Sequence, residues 1–468
     1  MVLGERQGDV NQLIEAAGHF SAAQTTWTRA QFSLDWAILQ DHLGTALQLA
    51  GNLAGRNELL SSAIEAHRSA LEELRKEEVP LYWAQAQNHL GSALKTLGEH
   101  QPGTDMLEEA ATAFRMTLDA HVFDEEPLSR AEAENNLGGV LLEIADRGGN
   151  QAGIGEAVAV LRKSLVTRTR AAAPMAFASS KNNLGHALVR LGEFENAPQH
   201  FKEAISALRE ALSVWTRESA ASRWATANQN LGDAYLSLAR SEKSLELIES
   251  ARICYEHALE VRDRQREPFF WASTQAALGN MHYLKGELEP NNASLESAVG
   301  FYKLALEAYR PDATPSGWAG AEFNLGNTER LLGIRTHQSS LISNALERHA
   351  AACRYSLPFS PYWAFRAAEA AKQDMDLLKS ATDVSSHQAA LAKYDWVLKL
   401  QAEHSGHQIG LRSTFSAVAP GTSGTIEPDW SLAPRKGDRI VDGTVTWENS
   451  GKFSFCVECN RFVLPPNA

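Results

Sequence analysis

The chain has 468 residues and a formal net charge of −13, from 57 acidic and 44 basic side chains, and its length predicts about three domains or one elongated array. The acidic balance argues against a nucleic-acid partner, and no run approaches the ~20 apolar residues of a membrane-spanning helix. Four cysteines do not make a disulfide framework in so long a chain, and the first ten residues lack a secretory signal, so a cytoplasmic location is expected.

A Leu-Gly pair recurs along the chain with a constant period of 47 residues. Its glycines are Gly44, Gly91, Gly138, Gly185, Gly232, Gly279 and Gly326. An alanine lies 19 residues after each glycine, and prolines such as Pro80 and Pro127 keep the same register. This spacing predicts helix pairs, in which the proline closes one unit and opens the next. A glycine inside a helix costs about 1 kcal/mol relative to alanine, so each Leu-Gly step predicts close packing of a second helix.

The period divides the chain into three predicted parts. Residues 1–35 are a partial N-terminal repeat, because one period before Ala63 the sequence has Ala16. Residues 36–404 form eight helix-pair repeats, which start near residues 36, 83, 130, 177, 224, 271, 318 and 363. Residues 405–468 contain turn signals between short runs of Val, Ile, Thr, Phe and Trp, which are typical of strands. The fold class expected is an all-α solenoid with a small C-terminal β appendage.

The repeating unit resembles the tetratricopeptide repeat, whose signature places W-x2-L-G-x2-Y before A-x3-F, then A and P. The fifth unit carries this signature most plainly, in Leu231-Gly232-x2-Tyr235 and Ala251-x3-Tyr255-x2-Ala258. Two features depart from the family: the unit has 47 residues instead of about 34, and its aromatic residue, such as Trp224, lies one helical turn earlier. The resemblance implies a right-handed superhelix of antiparallel helix pairs that binds a protein or peptide.

Amide and imidazole side chains recur just before the Leu-Gly step of each first helix. Directly before the leucine stand His42, His89, Asn136, Asn183, Asn230 and Asn324, and one position earlier stand Asn88, Asn135 and Asn182. Side-chain amides both donate and accept hydrogen bonds, so this track could hold an extended peptide in a concave groove lined by the first helices. Alternatively, the amides bond neighbouring helices and stabilise the stack. The sequence leaves both interpretations open.

No recognised catalytic or cofactor motif is present in the sequence. A P-loop, a dinucleotide glycine motif, a G-x-S-x-G elbow and an H-E-x-x-H sequence are all missing. Cys456 and Cys459 form a lone C-x-x-C, without the second pair of ligands that a structural zinc site needs. Neither His42 nor His89 has an acidic or cysteine companion at metal-ligand spacing. We therefore expect no enzyme activity, no metal and no cofactor.

The C-terminal stretch GTSGTIEPDWSLAPRKGDRIVDGTVTWENSG resembles a short β motif that recurs in bacteriophage tail and other surface-appendage proteins. That motif implies a structural or attachment module. Two functions are therefore carried forward. The first is a non-enzymatic interaction scaffold that binds a peptide or protein in the Asn-lined groove. The second is a self-assembling structural component, in which the half-repeat and the β tail join copies of the chain into a homo-oligomer. A start in mid-repeat also fits a chain that has lost an upstream helix or domain.

Overall fold

The computed structural model describes residues 9–120, 126–148, 151–311, 314–381, 388 and 390–400, together with four short strands between residues 439 and 463. Residues 1–8, Cys459 and most of the predicted segment 405–468 lie outside the described residues. The features predicted for those residues therefore stay predictions.

Helix pairs follow the predicted period throughout the described part of the chain. A helix at Val10–Ala23 precedes them. Repeats 1 to 7 consist of Ser33–Ala54 and Asn57–Glu73, Pro80–Glu99 and Asp105–Leu118, Pro127–Gly148 and Gln151–Thr167, Pro174–Glu195 and Pro198–Leu212, Arg217–Glu242 and Leu245–Leu259, Pro268–Leu288 and Ala293–Ala308, and Pro315–Thr336 and Ser339–Ser356. Repeat 8 consists of Pro361–Ala381 and the helical residues 390–400.

The first helices of repeats 1, 2, 4, 5 and 7 start from a similar backbone conformation, with or without a proline. Thr314, which precedes Pro315, has φ −136° and ψ 58°. Repeat 5 has Ala221 in the register of the proline, and its helix Arg217–Glu242 is kinked at Ala220, where φ is −157° and ψ is 58°. The kink is therefore the ordinary repeat boundary, preceded by one extra turn that the Thr216 capping box stabilises.

The Leu-Gly glycines are places where the second helix of a repeat touches the backbone of the first. A Cβ added to Gly44 would lie 2.6 Å from the His67 ring, and one added to Gly51 would lie 3.0 Å from Leu60. Residues later in the first helix contact residues earlier in the second helix, so the two helices of the pair are antiparallel. The same contact joins Gly91 to Phe114, Gly138 to Leu161, Gly185 to Leu208, Gly232 to Tyr255, Gly279 to Tyr302 and Gly326 to His349. The packing reason predicted for the glycines is confirmed.

A second register of small residues lies seven positions after the first and was not predicted from the sequence. Its glycines contact a large apolar side chain near the start of the second helix, and these pairs are Gly51 with Leu60, Gly98 with Leu107, Gly192 with Phe201, Gly286 with Leu295 and Gly333 with Ile342. Repeats 3 and 5 have the buried Ala145 and Ala239 at this position. Repeats 1, 2, 4, 6 and 7 thus each have two close contacts, which fix how the two helices of the repeat lie against each other.

The chain divides into two compact units. The first consists of Met1–Asp146 and Gln151–Glu267. It contains repeats 1 to 5, apart from the last two residues of the helix Pro127–Gly148. The second consists of Arg147–Asn150 and Pro268–Ala468 and contains repeats 6 to 8. In each unit the core is built from small and large side chains in alternation, such as Ala298 and Tyr302. The right-handed superhelix stays a prediction.

The four described strands form two antiparallel hairpins. Arg439–Asp442 pairs with Val445–Glu448, and Ser454–Cys456 pairs with Arg461–Val463. The connection of these hairpins into one appendage is not among the described features, so the β appendage stays a prediction. Among the helices that the structure describes, none has both the length and the apolar character needed to cross a membrane.

Candidate functional site

Three hydrogen bonds of one kind join the first helices of neighbouring repeats. Asn183 donates from Nδ2 to Asn135 Oδ1 at 3.1 Å, and Asn230 donates from Nδ2 to Asn182 Oδ1 at 3.0 Å. In both, the residue before the leucine of one repeat reaches the residue two before the leucine of the preceding repeat. His89 makes the equivalent contact, with Nδ1 2.9 Å from Asp41 Oδ2. These bonds have the stacking role that the sequence left open as an alternative.

The corresponding pair between repeats 2 and 3 is open. Asn88 Oδ1 is buried and has no hydrogen-bond partner in the described part of the chain. The side chain of Asn136, which is partly exposed, forms no hydrogen bond with any residue that the structure describes. The two donors and the carbonyl acceptor of the Asn136 amide are therefore not used by any residue that the structure describes.

A cleft of about 340 Å³ lies beside this open pair, within the first unit. We call it the amide cleft, and it is lined by Gln48, Ser92, Lys95, Thr96, Glu99, Asn135, Asn136, Gly139, Leu142, Glu143, Asn183 and His186. The first helices of repeats 1 to 4 supply all of these residues. Three of the nine predicted site residues, Asn135, Asn136 and Asn183, are brought together here.

The floor of the amide cleft includes a glycine that has no packing role. A Cβ added to Gly139 would meet only Lys95 Cε, at 3.8 Å, which is an ordinary contact distance. The neighbouring Gly138, in contrast, is in direct contact with Leu161. A glycine inside a helix lowers the stability of the helix by about 1 kcal/mol relative to alanine, and at Gly139 no packing contact offsets this loss. Gly139 therefore leaves space in the cleft at the expense of helix stability.

Charges in the amide cleft are of both signs. Lys95 Nζ lies 2.5 Å from Glu99 Oε1 in an ion pair along the same helix, and Glu143 adds a further acidic group. Asn135 is held in place from below by Ser180 Oγ, which donates to its Oδ1 at 3.1 Å. The buried Arg168 in turn donates to Ser180 Oγ at 3.4 Å, and burial lowers the pKa of this guanidinium. The cleft is thus polar and nearly neutral.

The other six predicted site residues do not line the amide cleft. His42 is exposed, and its ring centroid is 5.5 Å from that of Phe20. In the second unit, Asn324 donates from Nδ2 to Asn280 Oδ1 at 2.9 Å, which is a different register from the bonds of the first unit. Asn324 and His42 therefore do not extend the row of amides that begins at Asn136.

The structure gives His89 an acidic neighbour that the sequence analysis did not find. Asp41 Oδ1 lies 2.8 Å from Nδ1 of the fully buried His67, and Oδ2 lies 2.9 Å from Nδ1 of His89. Burial opposes a charged Asp41, but the hydrogen bonds from both imidazoles outweigh it and hold the pKa of this carboxyl well below its usual range. Burial lowers the pKa of His67, whereas contact with Asp41 overcomes burial and raises that of His89.

A half-buried carboxyl group, that of Asp233, was also not predicted from the sequence. Tyr255, which packs on Gly232, donates from its hydroxyl to Asp233 Oδ1 at 2.8 Å. Tyr302 makes the same contact with Asn280 Oδ1 at 2.7 Å in the next repeat. Burial raises the pKa of Asp233 from 3.8 to about 6. The signal in the sequence is the 47-residue register, which places an acid and an amide at equivalent positions.

Comparisons with known proteins bear on the repeats alone. Family models of the tetratricopeptide repeat match residues 177–217 and 232–264, which lie in repeats 4 and 5. No curated protein matches the chain significantly. No comparison supports the resemblance of the C-terminal stretch to a bacteriophage tail motif.

Several solved structures resemble this chain at low similarity. The apo form of RapI is 11% identical with a TM-score of 0.41, covering 87% of this chain and 98% of that one. A Rap protein complexed with competence and sporulation factor is 12% identical with a TM-score of 0.39, covering 80% and 98%. A human IFIT1 dimer with PPP-AAAA is 14% identical with a TM-score of 0.37, covering 81% and 90%. From the family models, the central region of this chain contains tetratricopeptide repeats.

Proposed function

We propose that the chain is a non-enzymatic interaction scaffold, which binds an extended peptide segment of a partner protein in the amide cleft. The observation that carries this proposal is the open pair of Asn88 and Asn136. In neighbouring repeats the equivalent pair is joined by a hydrogen bond. Beside the cleft, the hydrogen bond between Asn136 and Asn88 is not formed. An asparagine amide can donate to a peptide carbonyl and accept from a peptide N–H, so it recognises backbone with little regard to side chains.

Two further features fit a peptide backbone as the occupant. Asn183 uses one of its two N–H groups to reach Asn135, and its carbonyl oxygen accepts a hydrogen bond from Asn182 Nδ2 at 3.4 Å, so its second N–H remains for a ligand. Gly139 replaces the larger residues found at this register in every other repeat, which are Thr45, Ser92, His186, Asp233, Asn280 and Asn327. A glycine at such a point allows a ligand backbone to approach the helix closely. Asn182 and Asn230 would extend the same row towards repeat 5.

Selection of peptides from a random display library, followed by fluorescence anisotropy with the selected peptides, tests this proposal. Asn136→Ala and Gly139→Leu are expected to weaken binding at least about tenfold, because the first removes a hydrogen-bonding group and the second fills the floor. Asn327→Ala, in the second unit, is the matched control and should bind like the wild type. Selected peptides that bind Asn136→Ala and Gly139→Leu with unchanged affinity would contradict the cleft as the site.

The self-assembling component remains the alternative. It depends on the start of the chain and on residues 405–468, most of which lie outside the described residues. Sedimentation equilibrium of the full chain across a wide concentration range distinguishes the two proposals, because self-assembly requires a mass that rises with concentration.

A further inference from the structure

We propose that Asp41, His67 and His89 form a binding site for a divalent transition-metal ion, for which Zn²⁺ is the probe. Their ligand atoms, one from each side chain, all lie within 4.8 Å of one another. Three different helices supply them: the first and second helices of repeat 1, and the first helix of repeat 2. None of the three residues lines the amide cleft, so the proposal does not depend on peptide binding.

The combination of these three residues is an exception to the pattern of the repeat. The position of Asp41 is occupied elsewhere by Asn88, Asn135, Asn182, Gln229, Ala276 and Phe323. The position of His67 is occupied by Phe114, Leu161, Leu208, Tyr255, Tyr302 and His349. Where His349 recurs, the equivalent of Asp41 is Phe323, so the combination is not repeated there. The register of His89 also has a histidine in repeat 1, His42, so it is the combination of the three side chains that occurs once among repeats 1 to 7.

The geometry is close to that of a bound ion. With ligand bonds of about 2.0–2.1 Å, the ligand atoms of tetrahedral zinc stand roughly 3.3–3.5 Å apart. Here Asp41 lies 2.8 Å from His67 Nδ1 and 2.9 Å from His89 Nδ1 through its two oxygens. Separation of Asp41 from each imidazole by about half an ångström would admit the ion, once the two imidazole nitrogens, now within 4.8 Å of each other, take a similar spacing and the Nδ1 protons leave those nitrogens. The hydrogen bonds therefore pre-arrange the ligands.

The donor set selects the class of ion. Two imidazole nitrogens and one carboxylate oxygen suit Zn²⁺, Co²⁺, Ni²⁺ or Cu²⁺, and three protein ligands leave one position for water or a further ligand. Access is through His89, whose side chain is 36% exposed, because Asp41 is 11% exposed and His67 is completely buried. The ion would fasten the first helix of repeat 2 to both helices of repeat 1.

One feature limits the expected affinity. His67 Nε2 packs against Gly44 and has no hydrogen-bond partner among the described residues. When Nδ1 binds a metal, Nε2 carries the proton, and outer hydrogen bonds to that N–H commonly strengthen metal binding by about 10–100-fold. Without such a partner we expect micromolar binding.

Isothermal titration of the full chain with Zn²⁺ tests the site, in a Cys456→Ser/Cys459→Ser background that removes the C-x-x-C. We expect one strong Zn²⁺ site per chain and a Tm that rises with added Zn²⁺. His89→Asn introduces the residue type found at this register in repeats 3 to 5, so its fold should be retained. We expect it to weaken binding at least about tenfold and to abolish the rise in Tm.

His42→Asn is the matched control, because His42 has the same register in repeat 1 and is not part of the group formed by Asp41, His67 and His89. It should bind Zn²⁺ like its parent. Asp41→Asn, which keeps the shape of the side chain, should lose binding as His89→Asn does. The proposal is overturned if the parent shows no stoichiometric binding at micromolar Zn²⁺, or if His89→Asn folds and binds as tightly as the parent. Circular dichroism of each variant supplies the fold measurement.

Discussion

Asn183 and Asn135 are joined by a hydrogen bond that crosses from repeat 4 to repeat 3, at 3.1 Å. The equivalent bond from Asn136 to Asn88 is not formed. One register of the sequence therefore contains two kinds of asparagine, one engaged in stacking and one available to a ligand.

This difference predicts opposite behaviour of two alanine variants. Asn183→Ala removes the bond between repeats and should lower the free energy of unfolding by about 1 kcal/mol. Asn136→Ala breaks no bond within the described chain and should change it by less than about 0.5 kcal/mol. Urea unfolding followed by circular dichroism measures both. Equal destabilisation by the two substitutions would show that Asn136 is a structural residue.

Gly139 and Gly185 predict a second contrast, although both are glycines inside first helices. Gly139→Ala should raise the free energy of unfolding by up to about 1 kcal/mol, because the added methyl group meets only Lys95 Cε at 3.8 Å. The same substitution should weaken peptide binding, since it narrows the floor of the amide cleft. Thermal unfolding and anisotropy measure the two effects separately. Loss of stability in Gly139→Ala would mean that the cleft has no spare room at this point.

Gly185→Ala should have the opposite effect on stability. Its methyl carbon would lie 2.5 Å from Leu208 Cγ, so the second helix of repeat 4 must move away. Overpacking of this kind typically costs about 1–3 kcal/mol, which exceeds the gain in helix propensity. The double variant Gly185→Ala/Leu208→Ala removes the clash and should recover part of the loss. A Gly185→Ala protein as stable as the wild type would contradict the close contact.

Much of the fold could be predicted because the 47-residue period fixes which residues face each other, as the contact of Gly44 with His67 shows. The period does not reveal which amides are already hydrogen-bonded. The contact of His89 with Asp41 spans 48 residues, one more than the repeat, and comparison of equivalent positions alone does not find it. The open pair at Asn136 depends on small differences in side-chain conformation between repeats of similar sequence. Those differences are properties of the packed helices, which the sequence pattern does not specify.

Asp233 predicts a dependence of stability on pH that its neighbour in the next repeat lacks. Burial raises the pKa of Asp233 from 3.8 to about 6, so the folded chain binds this proton more tightly than the unfolded chain does. Below the pKa of 3.8 that the carboxyl group has in the unfolded chain, it costs no stability. As pH rises from there towards about 6, ionisation of the group destabilises the fold progressively, and the cost is constant at higher pH. The full effect at neutral pH is about 1–3 kcal/mol, because each tenfold change in proton affinity corresponds to about 1.4 kcal/mol and Asp233 is only partly shielded from water.

Asp233→Asn should remove this cost and retain the hydrogen bond from Tyr255, as Asn280 does for Tyr302. Relative to the wild type, the variant should be more stable by at most about 0.5 kcal/mol near about pH 4 and by the full amount near about pH 8. Asn280→Asp is the reciprocal control, and it should lose stability at the higher pH because it introduces the same buried charge. Chemical unfolding of all three proteins at both pH values gives the comparison, in which other titrating groups cancel. A difference between wild type and Asp233→Asn that does not change with pH would mean that Asp233 titrates as an ordinary surface carboxyl group.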